Sequence, residues 1–266
     1  MTTASVATRT PDEGRPLTPP TAPAPPAPPA PPGWVKATLL VVGKDLAIEM
    51  RTREIVTTSG FFAALVAILA SVAFYSGPET TSRVAPGAMW LSIAFASVLA
   101  LGRTWQRERD EAALTGLLVA PIPRASIFLG KALGVFAFVT LVECVVVPVI
   151  ALLFHVELPD VIGALSCVLV LGTLGVAATG TLFGAMTVRT RARDLVLATV
   201  LFPLLSPTLV CGVAATREIF SLAQSMHPPG MMEQLSEVTD YLGLLALFAI
   251  VGLLGGISFF GALVDE

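Results

Sequence analysis

The chain has 266 residues, of which 55% are hydrophobic and only 13% are charged, and its mean hydropathy is +0.82. Soluble domains carry roughly a quarter charged residues, so this composition excludes an ordinary water-soluble globular protein. It predicts an all-α polytopic membrane protein. The net charge of −3 gives no reason to expect a nucleic-acid partner.

The first 33 residues differ in kind from the rest of the chain, because 11 of the 23 residues from Pro11 to Gly33 are proline. Proline lacks the N–H that helices and sheets require, and the segment has little apolar bulk to pack. We therefore expect residues 1–33 to form a disordered cytoplasmic tail and residues 34–266 to form the membrane domain. A plain spacer is favoured over a ligand for an SH3-like domain.

An amphipathic helix is predicted from Trp34 to Glu54. Apolar side chains recur there at helical spacing, while charged side chains occupy the other sides. We expect this helix to lie at the membrane surface. The apolar positions are Leu39, Val42, Leu46 and Met50, and the charged ones are Lys44, Asp45, Glu49, Arg51 and Arg53.

Six apolar stretches follow, and each is close to the roughly 20 residues that a helix needs to cross the hydrocarbon core. The first is short, and the third and fourth are long enough to require a tilt or a break. The predicted spans are Gly60–Ser76, Pro86–Trp105, Ser126–Phe154, Val161–Val188, Leu195–Ala215 and Tyr241–Val264.

The basic residues predict the orientation of the bundle. With six spans both termini lie on one side, and placing them in the cytoplasm puts all but two of the 16 Lys and Arg residues inside. Only Arg83 and Arg217 then face outward. The sequence therefore predicts a multi-pass protein with both termini cytoplasmic.

Ionisable residues are rare within the predicted spans. Lys131 is close enough to the inner end of the third span for its side chain to snorkel to the interface. Glu143 falls near the middle of that span, where a carboxylate must be protonated, paired or next to water. Two roles stay open for Glu143: a neutral side chain hydrogen-bonded to a neighbouring helix, for instance to Thr179, or part of a pathway through the membrane.

No catalytic residues, metal ligands or stably bound cofactor are expected. Cys144, Cys167 and Cys211 are isolated from one another. His155 and His227, the only histidines, are both predicted at the outer face, where they are weak candidates for haem contact against the simpler alternative of solvated side chains.

The longest inner loop is predicted to contain a short helix that begins with charged residues and is closed by Pro121 and Pro123. This pattern fits a surface that docks a soluble partner, and it equally fits a linker at the membrane surface. As a docking surface it would use Glu108, Asp110, Glu111, Leu114, Leu117 and Leu118. In that case, aspartate at Leu117 and Leu118 should abolish co-purification of the partner.

Three pairs of glycines at four-residue spacing predict close helix packing, within one chain or across a homodimer. The pairs are Gly130 and Gly134, Gly180 and Gly184, and Gly252 and Gly256. The sequence contains no GxxxxGK[ST] motif, so the chain has no P-loop of its own and is not expected to be an enzyme. Energy from ATP would have to come through another subunit.

Several motifs stand out along the chain. The segment from Arg83 through Pro86 and Gly87 to Trp90 is followed by a span and then by Arg107 through Asp110 and Glu111 to Pro121. Two more are Leu171-Gly172-Thr173 and the segment from Phe202 to Pro207. Together these motifs resemble the haem exporter protein B family, CcmB, the permease subunit of the cytochrome c maturation ABC transporter.

The resemblance implies an ABC-2 type permease fold of six transmembrane helices in a bacterial inner membrane. The loop after the second span would then be the coupling helix against the ATPase subunit CcmA. Other implied partners are CcmC, CcmD and the haem chaperone CcmE, with haem as a substrate. The alternatives are an ABC-2 type drug or lipid exporter and an assembly scaffold that transports nothing.

Overall fold

The structure, a computed structural model, describes residues 32–74, 78–110, 113–187, 193–224 and 229–265. These residues form nine helices. The predicted proline-rich tail lies outside the described residues. The helices are α1 (Trp34–Thr52), α2 (Glu54–Ala73), α3 (Pro78–Asp110), α4 (Ala113–Val119), α5 (Arg124–Phe154), α6 (Leu158–Thr187), α7 (Arg193–Ala223), α8 (Met231–Glu237) and α9 (Thr239–Asp265).

Six of these helices, α2, α3, α5, α6, α7 and α9, are long and apolar enough to cross a membrane. This confirms the predicted all-α polytopic fold with six spans. The first span begins at Glu54 rather than Gly60, which gives it 20 residues. The two long spans, α5 and α6, are continuous helices and contain no break.

Successive spans run in opposite directions, so the bundle has two distinct ends. We call them the α4 end, which holds α1, α4 and the start of α5, and the α8 end, which holds α8 and the junction of α5 with α6. The last turns of α9 return to the α4 end, where Gly261 lies beside Arg124. The centre of the bundle is formed by α5 and α6, which pack against each other and against most of the other spans.

The predicted amphipathic helix is confirmed as α1, and the face that it turns to the protein has mixed polarity. Val41, Asp45 and Glu49 are buried, whereas Leu39 and Met50 are exposed. Charged as well as apolar side chains of α1 are therefore packed inside the protein. Arg53, in the left-handed conformation with φ of 52°, separates α1 from α2.

The predicted glycine pairs are contact points between helices of one chain. Gly130 and Gly134 lie on α5 against α1, and a side chain at Gly130 would collide with Val41. The other two pairs admit side chains of α3, α5 and α6 in the same way. Close approach without a Cβ allows these helices to pack tightly in lipid.

Candidate functional site

A buried group of charged side chains joins α1, α3 and α5 at the α4 end. The Lys131 ammonium contacts the carboxylates of both Asp45, at 2.7 Å, and Glu108. Lys131 is only 1% exposed and Glu108 only 4%. The expectation that Lys131 snorkels to the interface is therefore wrong, because its charge is neutralised inside the protein.

Lys44 completes this group from its outer side. Its ammonium lies 3.1 Å from both Asp45 and Glu108. Burial lowers the pKa of Lys44, but the two carboxylates outweigh that effect and raise the pKa above its ordinary value. Lys44 is therefore a cation at neutral pH. Two lysines thus balance two carboxylates.

A second set of ion pairs extends the group to the start of α2. Arg107 lies 3.7 Å from Glu49 and 3.5 Å from Glu54, and Arg103 lies 3.1 Å from Glu54. Glu49 also accepts a 2.9 Å hydrogen bond from the backbone N–H of Val56. We use the name ion-pair network for the eight charged residues of both sets, which are Lys44, Asp45, Glu49, Glu54, Arg103, Arg107, Glu108 and Lys131. It ties the last turns of α3 to α1, α2 and α5.

The short helix α4 follows α3, and its apolar face packs against the chain's own core. Leu114 is buried, and Leu117 and Leu118 are half-buried against the same core. Aspartate at Leu117 and Leu118 would therefore disturb the seating of α4 itself, in addition to any partner contact. Val119 is 82% exposed and Asp110 is also exposed.

Two of the predicted docking residues, Glu108 and Glu111, are not among the exposed residues that the structure describes. Glu108 lies within the ion-pair network and is not available at the surface. Glu111 lies outside the described residues. The surface that remains for docking is the exposed side of α4 and the end of α3.

Glu143 lies in the middle of α5 and is buried against α6. The hydroxyl of Thr173 on α6 donates a hydrogen bond to its Oε1. A hydroxyl of this helix was expected, but the residue is Thr173 rather than Thr179. Thr179 lies instead where α6 meets Gly252 of α9.

The motif residues of α3 gather at the α8 end. Trp90 is buried, and its indole N–H donates a 2.9 Å hydrogen bond to the hydroxyl of Thr216 on α7. Gly172 on α6 and Gly212 on α7 allow the ring to lie against both backbones, because a Cβ at either position would collide with it. The ring is thereby fixed in position.

Two neighbouring cavities begin at this motif. Arg83 and Pro86 line one of about 310 Å³, which we call the arginine groove. Gly87 and Trp90 line another of about 490 Å³, which we call the Trp90 cleft. Arg217 of α7 lines both cavities.

The structure describes one of the two histidines that the sequence suggested for haem contact. His155 caps the end of α5 with φ of 57° and is exposed at the α8 end. His227 lies outside the described residues. Of the two predicted candidates for haem contact, the structure therefore places His155 alone.

The sequence pattern does not predict the ion-pair network or the position of Arg217 between two cavities. Charges on α1 are typical of a solvated helix face, so nothing in their spacing identifies them as buried. One signal was present: Gly130 and Gly134 flank Lys131 on α5 and allow α1 to approach it. For Arg217 the signal was that it is one of two basic residues that the sequence predicts on the outer side.

Comparison with known proteins identifies the family. The family model described as CcmB protein matches residues 36–253, which include α2 to α7 and part of α9. Heme exporter protein B of Rhodobacter capsulatus is 31% identical over 182 residues, covering 66% of this chain and 81% of that protein. The Paracoccus denitrificans protein of the same name is 33% identical over 148 residues, covering 55% and 67%. The one from Pseudomonas aeruginosa is 26% identical over 215 residues, covering 80% and 93%. The chain therefore belongs to the CcmB protein family.

Proposed function

We propose that the chain is the transmembrane subunit of an ABC transporter complex for haem export and cytochrome c maturation. The observation that carries this proposal is the match of the family model over residues 36–253, together with the six apolar helices. The relatives named Heme exporter protein B support haem as the substrate. Since the sequence has no P-loop, a separate ATPase subunit would drive the complex.

The proposed orientation places the α4 end in the cytoplasm of a bacterial inner membrane. The excess of lysine and arginine at this end of the predicted topology supports it. The start of α1 and the end of α9 then both lie on the cytoplasmic side. The α8 end, with α8, His155 and the two cavities, faces outward.

The α4 end would be the docking site of the ATPase subunit, which in this family is CcmA. A docking surface must transmit movement to the spans, and α4 is well placed to do so. Its leucines pack on the core, and the preceding end of α3 is held by the ion-pair network. A push on α4 would therefore act on α1, α2, α3 and α5 together. CcmC, CcmD and CcmE are the further partners that this function implies.

Co-purification with the ATPase tests the docking surface. Val119→Asp places a charge on an apolar side chain that is 82% exposed and makes little contact with the bundle. We expect it to reduce recovery of the ATPase while leaving membrane insertion intact, because burying an unpaired carboxylate in an interface is unfavourable.

Met232→Asp is the matched control. Met232 is 81% exposed, but it lies on α8 at the opposite end of the bundle. Its substitution should leave recovery of the ATPase unchanged. Equal recovery with both variants would contradict docking at α4, and loss of the ATPase with Met232→Asp alone would reverse the proposed orientation.

A further inference from the structure

The two basic side chains at the α8 end converge on one place. Arg83 is in α3 and Arg217 is in α7, more than 130 positions later in the sequence, yet both line the arginine groove. Both are exposed. Neither forms an ion pair among the described residues, in contrast to Arg103 and Arg107 at the other end. Two guanidinium groups without carboxylate partners are suited to bind a ligand with two acidic groups.

Arg217 also closes the polar end of the Trp90 cleft. Below it the cleft walls are apolar, with Leu91, Phe202 and Val213 among them. Glu218 and Tyr241 are the other polar side chains at this end. The volume of about 490 Å³ lies within the range of roughly 300–1,000 Å³ typical of small-molecule sites.

Trp90 fixes the inner side of this cleft. The hydrogen bond to Thr216 holds its ring in one position, and only 1% of the residue is exposed. The surface open to a ligand is formed by neighbouring apolar side chains, among them Leu91 and Val210. A wall that is already ordered loses little conformational entropy when a ligand binds. The site therefore combines an ordered apolar wall with a basic rim.

We propose that the Trp90 cleft and the arginine groove together bind haem through its porphyrin plane and its two carboxylates. The porphyrin lies in the apolar cleft beside Trp90, and the carboxylates bind Arg83 and Arg217. This inference rests on the proposed function and assigns the substrate site within it. No histidine, cysteine or methionine is among the described residues that line the cleft, and Tyr241 is the one side chain in that lining of a type that binds haem iron, so the ring and the carboxylates carry most of the recognition.

The charge of the site favours this occupant over two others. Two separate guanidinium groups, with one glutamate beside them, match a ligand with two acidic groups better than a phospholipid with a single phosphate. A second copy of the chain would bring the same basic rim and repel it. Lipid and dimer contact are nevertheless outcomes that the test must separate.

The test measures porphyrin binding to the full chain in phosphatidylcholine nanodiscs, with empty nanodiscs subtracted. Haem, metal-free protoporphyrin and the protoporphyrin dimethyl ester are the three probes. Haem and metal-free protoporphyrin should bind with similar affinity. Arg83→Gln and Arg217→Gln should each weaken both diacids by roughly tenfold or more, because each removes a charge-assisted hydrogen bond. Neither should change binding of the ester, which has no carboxylate to lose.

Two further variants complete the design. Arg51→Gln removes an exposed arginine at the opposite end and should leave all three affinities unchanged. Val210→Trp fills the cleft from a position that is 66% exposed, so it should block all three probes without disturbing the core.

Several results would overturn the proposal. One is an equal loss of diacid and ester binding in the arginine variants. Another is unchanged porphyrin binding in Val210→Trp. A third is a co-purifying phospholipid that competes with the porphyrin and is lost in Arg217→Gln. Disruption of a homodimer by Arg217→Gln would assign the surface to a second copy instead. If these variants bind porphyrin normally and still mature cytochrome c, while deletion of the chain abolishes maturation, only the site is wrong. If deletion has no effect, the proposed function is wrong.

Discussion

Replacing Lys131 with methionine removes the cation on which two buried carboxylates depend. Methionine is similar in length, so the substitution changes the charge far more than the shape. Asp45 and Glu108 would stay buried with Lys44 as their remaining partner, 3.1 Å from each. Breaking a buried ion pair by removing one partner costs about 3–5 kcal/mol, and the presence of Lys44 places this case near the lower limit, at about 3 kcal/mol. For a domain of this size that free energy corresponds to a fall of about 6–12 °C in the unfolding midpoint.

The assay is thermal unfolding of the purified protein in detergent or nanodiscs, followed by the loss of monodisperse protein. Lys36→Met is the matched control, because Lys36 is an exposed lysine on α1, and its substitution should change stability by less than about 0.5 kcal/mol. Combining Lys131→Met with Asp45→Asn should restore part of the lost stability, since Glu108 is then paired with Lys44 and no buried charge is left unpaired. If Lys131→Met unfolds at the same temperature as the unmodified chain, Lys131 is solvated and the ion-pair network is wrong.

Two further predictions concern single buried hydrogen bonds. Glu143→Gln keeps an oxygen that can accept from Thr173, so we expect normal complex recovery and normal yield of holo-cytochrome c; assembly without maturation would instead assign Glu143 to a functional path. Glu143→Leu leaves the Thr173 hydroxyl without this acceptor and should lower complex recovery, with a cost of about 1–3 kcal/mol. Trp90→Phe removes the donor to Thr216 and should reduce the free energy of unfolding by a similar amount, which is measured as a lower unfolding midpoint. An unchanged midpoint would show that the 2.9 Å hydrogen bond contributes nothing to stability.

The membrane architecture could be predicted because it depends on length and polarity along the chain. A run of about 20 apolar residues must span the bilayer whatever its neighbours are, and all six runs became spans. The error at the first span has a simple cause. Glu54 and the hydroxyl residues Thr57, Thr58 and Ser59 reduce the hydropathy of this stretch, although α2 already begins there.

The direction that a helix face points could not be predicted in the same way. Periodicity shows which side chains share a face of α1, but it does not show whether that face meets water, lipid or protein. Asp45 and Glu49 point into the bundle because Lys131 and Arg107, distant in sequence, neutralise them there. The same limit applies to α4, whose leucines pack on the chain's own core.

Contacts between side chains of different helices could not be predicted either, because they depend on how two spans are rotated and shifted along their axes relative to each other. Glu143 could be identified as unusual from its depth alone. Its hydrogen bond to Thr173 rather than Thr179 follows from the vertical register of α5 and α6, which hydropathy does not record. The meeting of Arg83 and Arg217 likewise depends on the packing of α3 beside α7.

The most direct test of a role in cytochrome c maturation is the yield of covalently haem-bound cytochrome c in a strain that lacks this chain. The yield is measured by haem staining of membrane and periplasmic fractions, with the apocytochrome polypeptide quantified in parallel. Holo-cytochrome c should be lost while the polypeptide is still made, and expression of the chain should restore it. Unchanged holo-cytochrome c in the deletion strain would contradict the assignment to haem export and cytochrome c maturation.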